Sequence, residues 1–172
     1  MSPSIADIIA RMQRDKVALG ITLYPPATAA ELADFEQKIG VRLPSDLRMF
    51  YSFCNGFESA EDLFRIIPLG EIIENEFGRA YSFKATEGWD FYLAEYVIYS
   101  DCWAIWINKV HPDQYAIGSY NSEEYNTLCY GIATPANNIV MTNSLAVFLD
   151  KFLRDGVHAG IIRWREELAK QQ

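Results

Sequence analysis

Three cysteines, Cys54, Cys102 and Cys129, and two histidines, His111 and His158, are the side chains best suited to act as nucleophile, base or metal ligand in this 172-residue chain. Their spacing supports little of that chemistry. No CxxC occurs and neither histidine belongs to a spaced His/Cys set, so the usual zinc patterns are missing. There is no GxGxxG, GxxxxGKS/T or GxSxG, hence no glycine loop to cradle a phosphate and no nucleophile elbow. Glu61-Asp62 and Glu123-Glu124 are paired carboxylates, but neighbours in sequence diverge on a helix or a strand, so adjacency does not make an acid/base pair. A Cys–His pair assembled from distant parts of the chain stays open, although no family-type signature surrounds any of the cysteines. The residues thus point to no catalytic group, no metal and no cofactor. An odd number of cysteines without a secretory leader reads as reduced thiols in a cytoplasmic protein.

The charge is more informative than the chemistry. The formal net charge is −8, and its excess lies in one segment. Between Gly56 and Tyr130, thirteen acids stand against four bases, whereas the rest of the chain has ten against eleven. Such a segment repels a nucleic-acid backbone. It attracts a basic protein, with an effect that salt weakens, and it equally serves as a solvated surface that aids solubility. No membrane span is expected. The uncharged run Tyr125 to Leu149 contains Asn126, Thr127, Pro135, Asn137, Asn138, Thr142, Asn143 and Ser144, too polar for hydrocarbon. Trp89, Trp103, Trp106 and Trp164, with ten tyrosines, either line a pocket or pack a core, and core packing is the expectation.

The elements that position these residues follow from periodicity. A first helix spans Ser4 to about Ala18, with Ile5, Ile8, Ile9 and Met12 on one side, and the Pro25-Pro26 pair follows it. Thr28 and Glu31 form a capping box for a second helix whose stripe is Leu32, Phe35 and Ile39, closed by Gly40. "LPSDLRMFYSFCNG", Leu43 to Gly56, predicts a third, with Pro44 in its first turn, Leu47, Phe50, Tyr51 and Cys54 as its stripe, and Asn55-Gly56 as its stop. Strands are predicted at Leu63 to Leu69, Glu95 to Ser100, Cys102 to Asn108 and Gln114 to Tyr120, the last three as an antiparallel meander. In the middle strand Trp103, Ile105 and Ile107 share one face, and Cys102, Ala104 and Trp106 the other. Both are apolar, which predicts a central strand covered on both sides. "NNIVM" is compatible with a further strand. A closing helix starts at Ser144, carries Leu145, Phe148, Leu149, Phe152 and Leu153, and stops at Gly156. A last one runs from about Ile161 to Lys170. The fold class is α+β in one domain, residues 1–172: N-terminal helices, a meander sheet and C-terminal helices packed on it.

"ELADFEQKIGVRLPSDLRMFYSFCNGF" resembles the signature of the SUKH superfamily, which holds fungal regulators of cell-wall synthesis and bacterial toxin-immunity proteins. The matching positions are Glu36, Gly40, Leu43-Pro44, Asp46 and Asn55-Gly56, and the resemblance extends over about Thr28 to Asp155. The insert Glu71 to Asp90 and the tail after Gly156 carry no family motif. The resemblance implies an α+β fold, no cofactor and function by binding protein partners. The expectation is a non-catalytic immunity protein that neutralises a cognate, basic toxin, such as a nuclease, through an acidic surface. The alternative is a small-molecule or peptide sensor of the regulator type. The residues assigned to the partner are Glu58, Glu61, Asp62, Trp89, Asp90, Glu123 and Glu124. Those of the signature, with Phe50 and its neighbours, are assigned to the scaffold.

Overall fold

The computed structural model describes residues 2–72, 88–98, 101–120 and 139–171. Glu123, Glu124, Cys129 and most of the insert Glu71 to Asp90 lie outside the described residues. In chain order the elements are α1 (Ile5–Asp15), β1 (Ile21–Leu23), α2 (Ala29–Ile39), α3 (Ser45–Phe53), β2 (Phe57–Ser59), β3 (Phe64–Ile66), β4 (Gly88–Tyr96), β5 (Asp101–Asn108), β6 (Tyr115–Tyr120), β7 (Ile139–Thr142), α4 (Leu145–Gly156) and α5 (Arg163–Ala169). A π-helical stretch, Val157–Ile162, joins α4 to α5. Among the described residues the seven strands form one antiparallel sheet in sequential order, β1 to β7. The α+β class and the helices–sheet–helices order are as the sequence implies.

One aromatic chain runs through the core from helix to sheet to helix. Phe50 of α3 meets Phe57 of β2 with ring centroids 6.5 Å apart, Phe57 meets Phe64 at 6.2 Å, and Phe64 stacks on Phe152 of α4 at 4.3 Å. Trp103 of β5 joins it, 5.7 Å from Phe64 and 6.3 Å from Phe148. Offset and edge-on ring pairs of this kind add attraction beyond the area they bury. On α2, Phe35 meets Phe91 of β4 edge-on at 5.4 Å. The opposite face of β5 is closed as well, with Ala104 at 0% and Trp106 at 2% exposure, so the strand is covered on both sides as its pattern predicts.

Local signals at the helices hold. Thr28 and Glu31 complete their capping box, and Gly40 caps α2 in the left-handed region at φ 68°. Ser4 and Asp7 form a second box on α1, which is three residues shorter than expected at its C-terminal end. The strand boundaries differ more. β1 and β2 are three residues each, too short to show an alternation, and neither is legible in the sequence. The stretch Leu63 to Leu69 gives only Phe64–Ile66, because Pro68 turns the chain into a 3-10 turn at Leu69–Glu71. β4 lies at Gly88–Tyr96 rather than Glu95–Ser100: Val97 and Ile98 leave the strand with φ 48° and 51°.

The stop after α3 also works differently from a glycine cap. Cys54 ends the helix in extended conformation at φ −150°, and Asn55 is not left-handed. Gly56 takes φ 91° one step later, in the entry to β2, where a Cβ would lie 2.3 Å from the Ile66 carbonyl oxygen. Gly56→Ala is therefore expected to destabilise by more than the ~1 kcal/mol typical of a left-handed alanine, since backbone must move as well. Gly70→Ala, with nothing near its Cβ, is the control. Denaturant melts of the two variants check this, and equal midpoints would contradict it.

Candidate functional site

The two cysteines among the described residues, Cys54 and Cys102, sit in surroundings that keep the thiol protonated. Burial pushes the Cys54 thiol up to about 12. Burial, with Glu95 and Asp101 nearby, does the same to Cys102, also to about 12. A thiol in that range is not a nucleophile near neutral pH. His158 meets the Tyr96 hydroxyl at 2.9 Å, and His111 sits in the β5–β6 turn, its amide donating to Asn108 Oδ1 at 3.0 Å. Among the described residues no three His, Cys, Asp or Glu side chains converge to hold a metal ion. No helix among the described residues is long and apolar enough to cross a membrane.

The signature residues meet one another around α3. Glu36 Oε1 accepts from the Leu43 amide at 2.7 Å and from Arg48 Nη1 at 2.6 Å, locking the turn that leads into α3. Pro44 stands at the N-cap position and offers no side-chain acceptor. Asp113, from the β5–β6 turn, supplies it instead: its Oδ1 accepts from the Ser45 amide at 2.7 Å and the Ser45 hydroxyl at 2.8 Å. Asp46 accepts from the Tyr115 hydroxyl of β6, and that hydroxyl accepts from the Leu145 amide at 2.8 Å. Three elements, α3, β6 and the start of α4, are thereby joined. At the far end Asn55 Oδ1 accepts from the Leu69 amide at 2.9 Å, the Asn55 amide donates to Pro25 at 3.0 Å, and Tyr51 donates to the Ile67 carbonyl at 3.0 Å.

Of the carboxylates assigned to a partner, Glu58, Glu61 and Asp62 lie on or beside the β2–β3 hairpin, and Asp90 lies apart from them. Trp89 and Asp90 begin β4, while Glu95, opposite Arg65 of β3, is near its end, roughly 20 Å away at the ordinary strand rise. Trp89 is half-buried beside Gly40, with the Lys109 ammonium 5.9 Å from its ring centroid. Asp90 is buried. Asp62 is tied into the fold, accepting from the Ser59 hydroxyl and the Val157 amide, both at 3.3 Å. Glu58 and Glu61 are the exposed ones, on and beside the β2–β3 hairpin, and Glu58 accepts from the Tyr24 hydroxyl at 3.0 Å.

That hairpin and the start of the β4–β5 turn form a corner that the sequence does not announce. Leu63, Val97 and Ile98 all adopt left-handed backbone, at φ 52°, 48° and 51°, and are 59%, 37% and 90% exposed. The Val97 amide donates to the Leu63 carbonyl at 3.0 Å, so each turn holds the other. Left-handed backbone costs an L-residue roughly 1–2 kcal/mol, and branched apolar side chains are the least suited to it. The three line an open groove of about 520 Å³ with Glu58, Ser59, Ala60, Phe64, Arg65 and Glu95. Arg65 bridges Glu95 and Glu71, with Nη1 2.7 Å from Glu71 Oε2. Of the charged residues that line the groove, Glu58 and Glu95 are negative and Arg65 positive. The corner lies at the Asp101 end of β5, whereas Pro44 to Asp46 and their partner Tyr115 lie at the Asn108 end. Only charge could have pointed to it in the sequence, because "EYVIYS" reads as strand and no glycine or asparagine marks the turn.

Comparison with known proteins gives one match. The family model described as SMI1 / KNR4 family (SUKH-1) matches residues 26–151, well over half of the chain. No curated protein and no solved structure matches.

Burial holds the Asp46 carboxyl above the usual carboxylate range, against the hydrogen bonds from Tyr115 and the Leu47 amide that pull it down. The folded protein thus holds that proton more tightly than the unfolded chain does. The group contributes stability below its ordinary pKa and loses it as pH rises through the raised value. Asp46→Asn keeps an acceptor for Tyr115 and is expected to gain on the unsubstituted protein as pH rises from about 4, the ordinary carboxylate value. Paired denaturant titrations measure the gap, and a gap that does not change with pH would contradict it.

Proposed function

The chain belongs to the SMI1/KNR4 family (SUKH-1), and on that premise we propose that it is a non-catalytic cytoplasmic protein-binding domain of the immunity type. Its partner in this reading is a basic toxin, of which a nuclease is the natural example, and its role is to occlude the toxin's cationic surface. Family membership is consistent with an immunity-type or a regulator domain. What favours the first is one observation: exposed Glu58 and Glu61 stand beside an exposed apolar patch, in the segment that carries the whole negative excess of the chain. An apolar centre rimmed by charge is how a protein interface is built. A cationic surface made to hold nucleic acid would be drawn to that rim, and apolar contact would then hold it.

Co-expression with the toxic domain of any polymorphic toxin whose gene neighbours this chain's gene tests the reading. Protection of the host is expected, with a complex that forms faster at low salt. Glu58→Gln, which keeps an acceptor for the Tyr24 hydroxyl, combined with Glu61→Lys should slow association at low salt and leave the protein folded. Equal association rates would remove the acidic surface from the account, and absence of any complex would remove the immunity role.

A further inference from the structure

We propose that the Leu63–Val97–Ile98 groove is the anchor of the interface. It takes an apolar side chain from a basic segment of the partner protein, whose flanking basic residues fall on Glu58 and Glu61. This rests on the protein-binding reading above and adds what is gripped, and where.

The argument for the occupant is one of charge and shape together. The groove has apolar walls; among the described residues Glu58 and Glu95 line it with Arg65, which bridges Glu95 and Glu71, and exposed Glu61 stands in the adjoining hairpin turn. An apolar side chain between basic neighbours satisfies both features. A second copy of this chain would set one negative rim against another and be repelled. At about 520 Å³ the groove has room for a few side chains. Two of its apolar residues are joined in advance, because the Val97 amide donates to the Leu63 carbonyl. A preformed anchor loses little freedom on binding. Within such a patch the buried apolar contact sets the lifetime of the complex, while the charged rim sets the rate of encounter.

Stability and grip are opposed at these positions. Glycine fits left-handed backbone without strain, and Ile98, 90% exposed, contributes almost nothing to the core. Ile98→Gly should therefore make the protein more stable and the interface weaker.

The probes are three blocked pentapeptides, Arg-Arg-Leu-Arg-Arg, Arg-Arg-Ser-Arg-Arg and Glu-Glu-Leu-Glu-Glu, titrated into the full-length protein while its backbone amide resonances are followed. The first is expected to give saturable shifts centred on Leu63, Val97 and Ile98. The serine peptide should bind about tenfold more weakly, and the glutamate peptide should not shift those amides. Ile98→Gly should raise the melting temperature by about 2–4 °C and weaken binding of the first peptide about tenfold. Equal binding of the leucine and serine peptides, shifts centred elsewhere on the acidic surface, or a lowered melting temperature would overturn the proposal. So would a dimer that Ile98→Gly abolishes, since the groove would then belong to a second copy. A toxin that binds the Ile98→Gly protein with unchanged lifetime overturns the anchor alone and leaves the protein-binding role standing. Peptide binding at the groove without protection against any toxin would sustain the anchor and sink the immunity role.

Discussion

Helix α3 must lie under the sheet while its polar ends stay satisfied, and that requirement organises the molecule. Its own sequence leaves its N-terminus without a side-chain cap, because proline stands at that position. The missing acceptor comes from Asp113, 68 residues away, and Asp46 reaches across to Tyr115 and through it to the first turn of α4. The Leu145 amide is buried, and a buried amide without a partner costs as much as a lost hydrogen bond. The helix, the sheet and the closing helix are therefore stable together rather than singly. Glu36 at one end and Asn55 at the other hold the connecting turns by the same device, a side-chain oxygen on a backbone amide.

This explains why the identifying residues and the proposed working surface are different residues. Glu36, Leu43, Asp46 and Asn55 have their hydrogen-bonding or packing capacity used within the chain. With the turns pinned, the β2–β3 and β4–β5 ends can carry backbone that would not hold itself. Leu63, Val97 and Ile98 lie in a region of φ that glycine or asparagine would occupy more cheaply, and strain of this kind persists only where surrounding structure over-determines it. The strained, exposed apolar corner is the part of this scaffold proposed to grip a partner.

Much of the fold is legible in the sequence where the signal is local. The Thr28–Glu31 box, the left-handed Gly40 and the two apolar faces of β5 rest on neighbours within a few residues or on a repeat of two. Strands of three residues such as β1 and β2 cannot show such a repeat. The turn at Val97-Ile98 is invisible for a different reason: β-branched residues read as strand, and tertiary contact overrides that preference. Of the site, Glu58 and Glu61 are readable as charge. Asp62 and Asp90 are equally acidic in sequence, yet one is spent on Val157 and Ser59 and the other is buried, which only the three-dimensional arrangement decides. The Asp113–Ser45 contact leaves no local trace in either segment.

Amide hydrogen exchange on the free protein tests the central claim most directly. The amides of Leu43, Leu69 and Leu145 each donate to a side-chain oxygen, from Glu36, Asn55 and Tyr115. If these bonds close the fold, all three exchange only through global unfolding, with the slowest rates in the molecule, while the exposed Ile98 amide exchanges orders of magnitude faster. Exchange of the three leucine amides by local opening, at rates like that of Ile98, would contradict the claim.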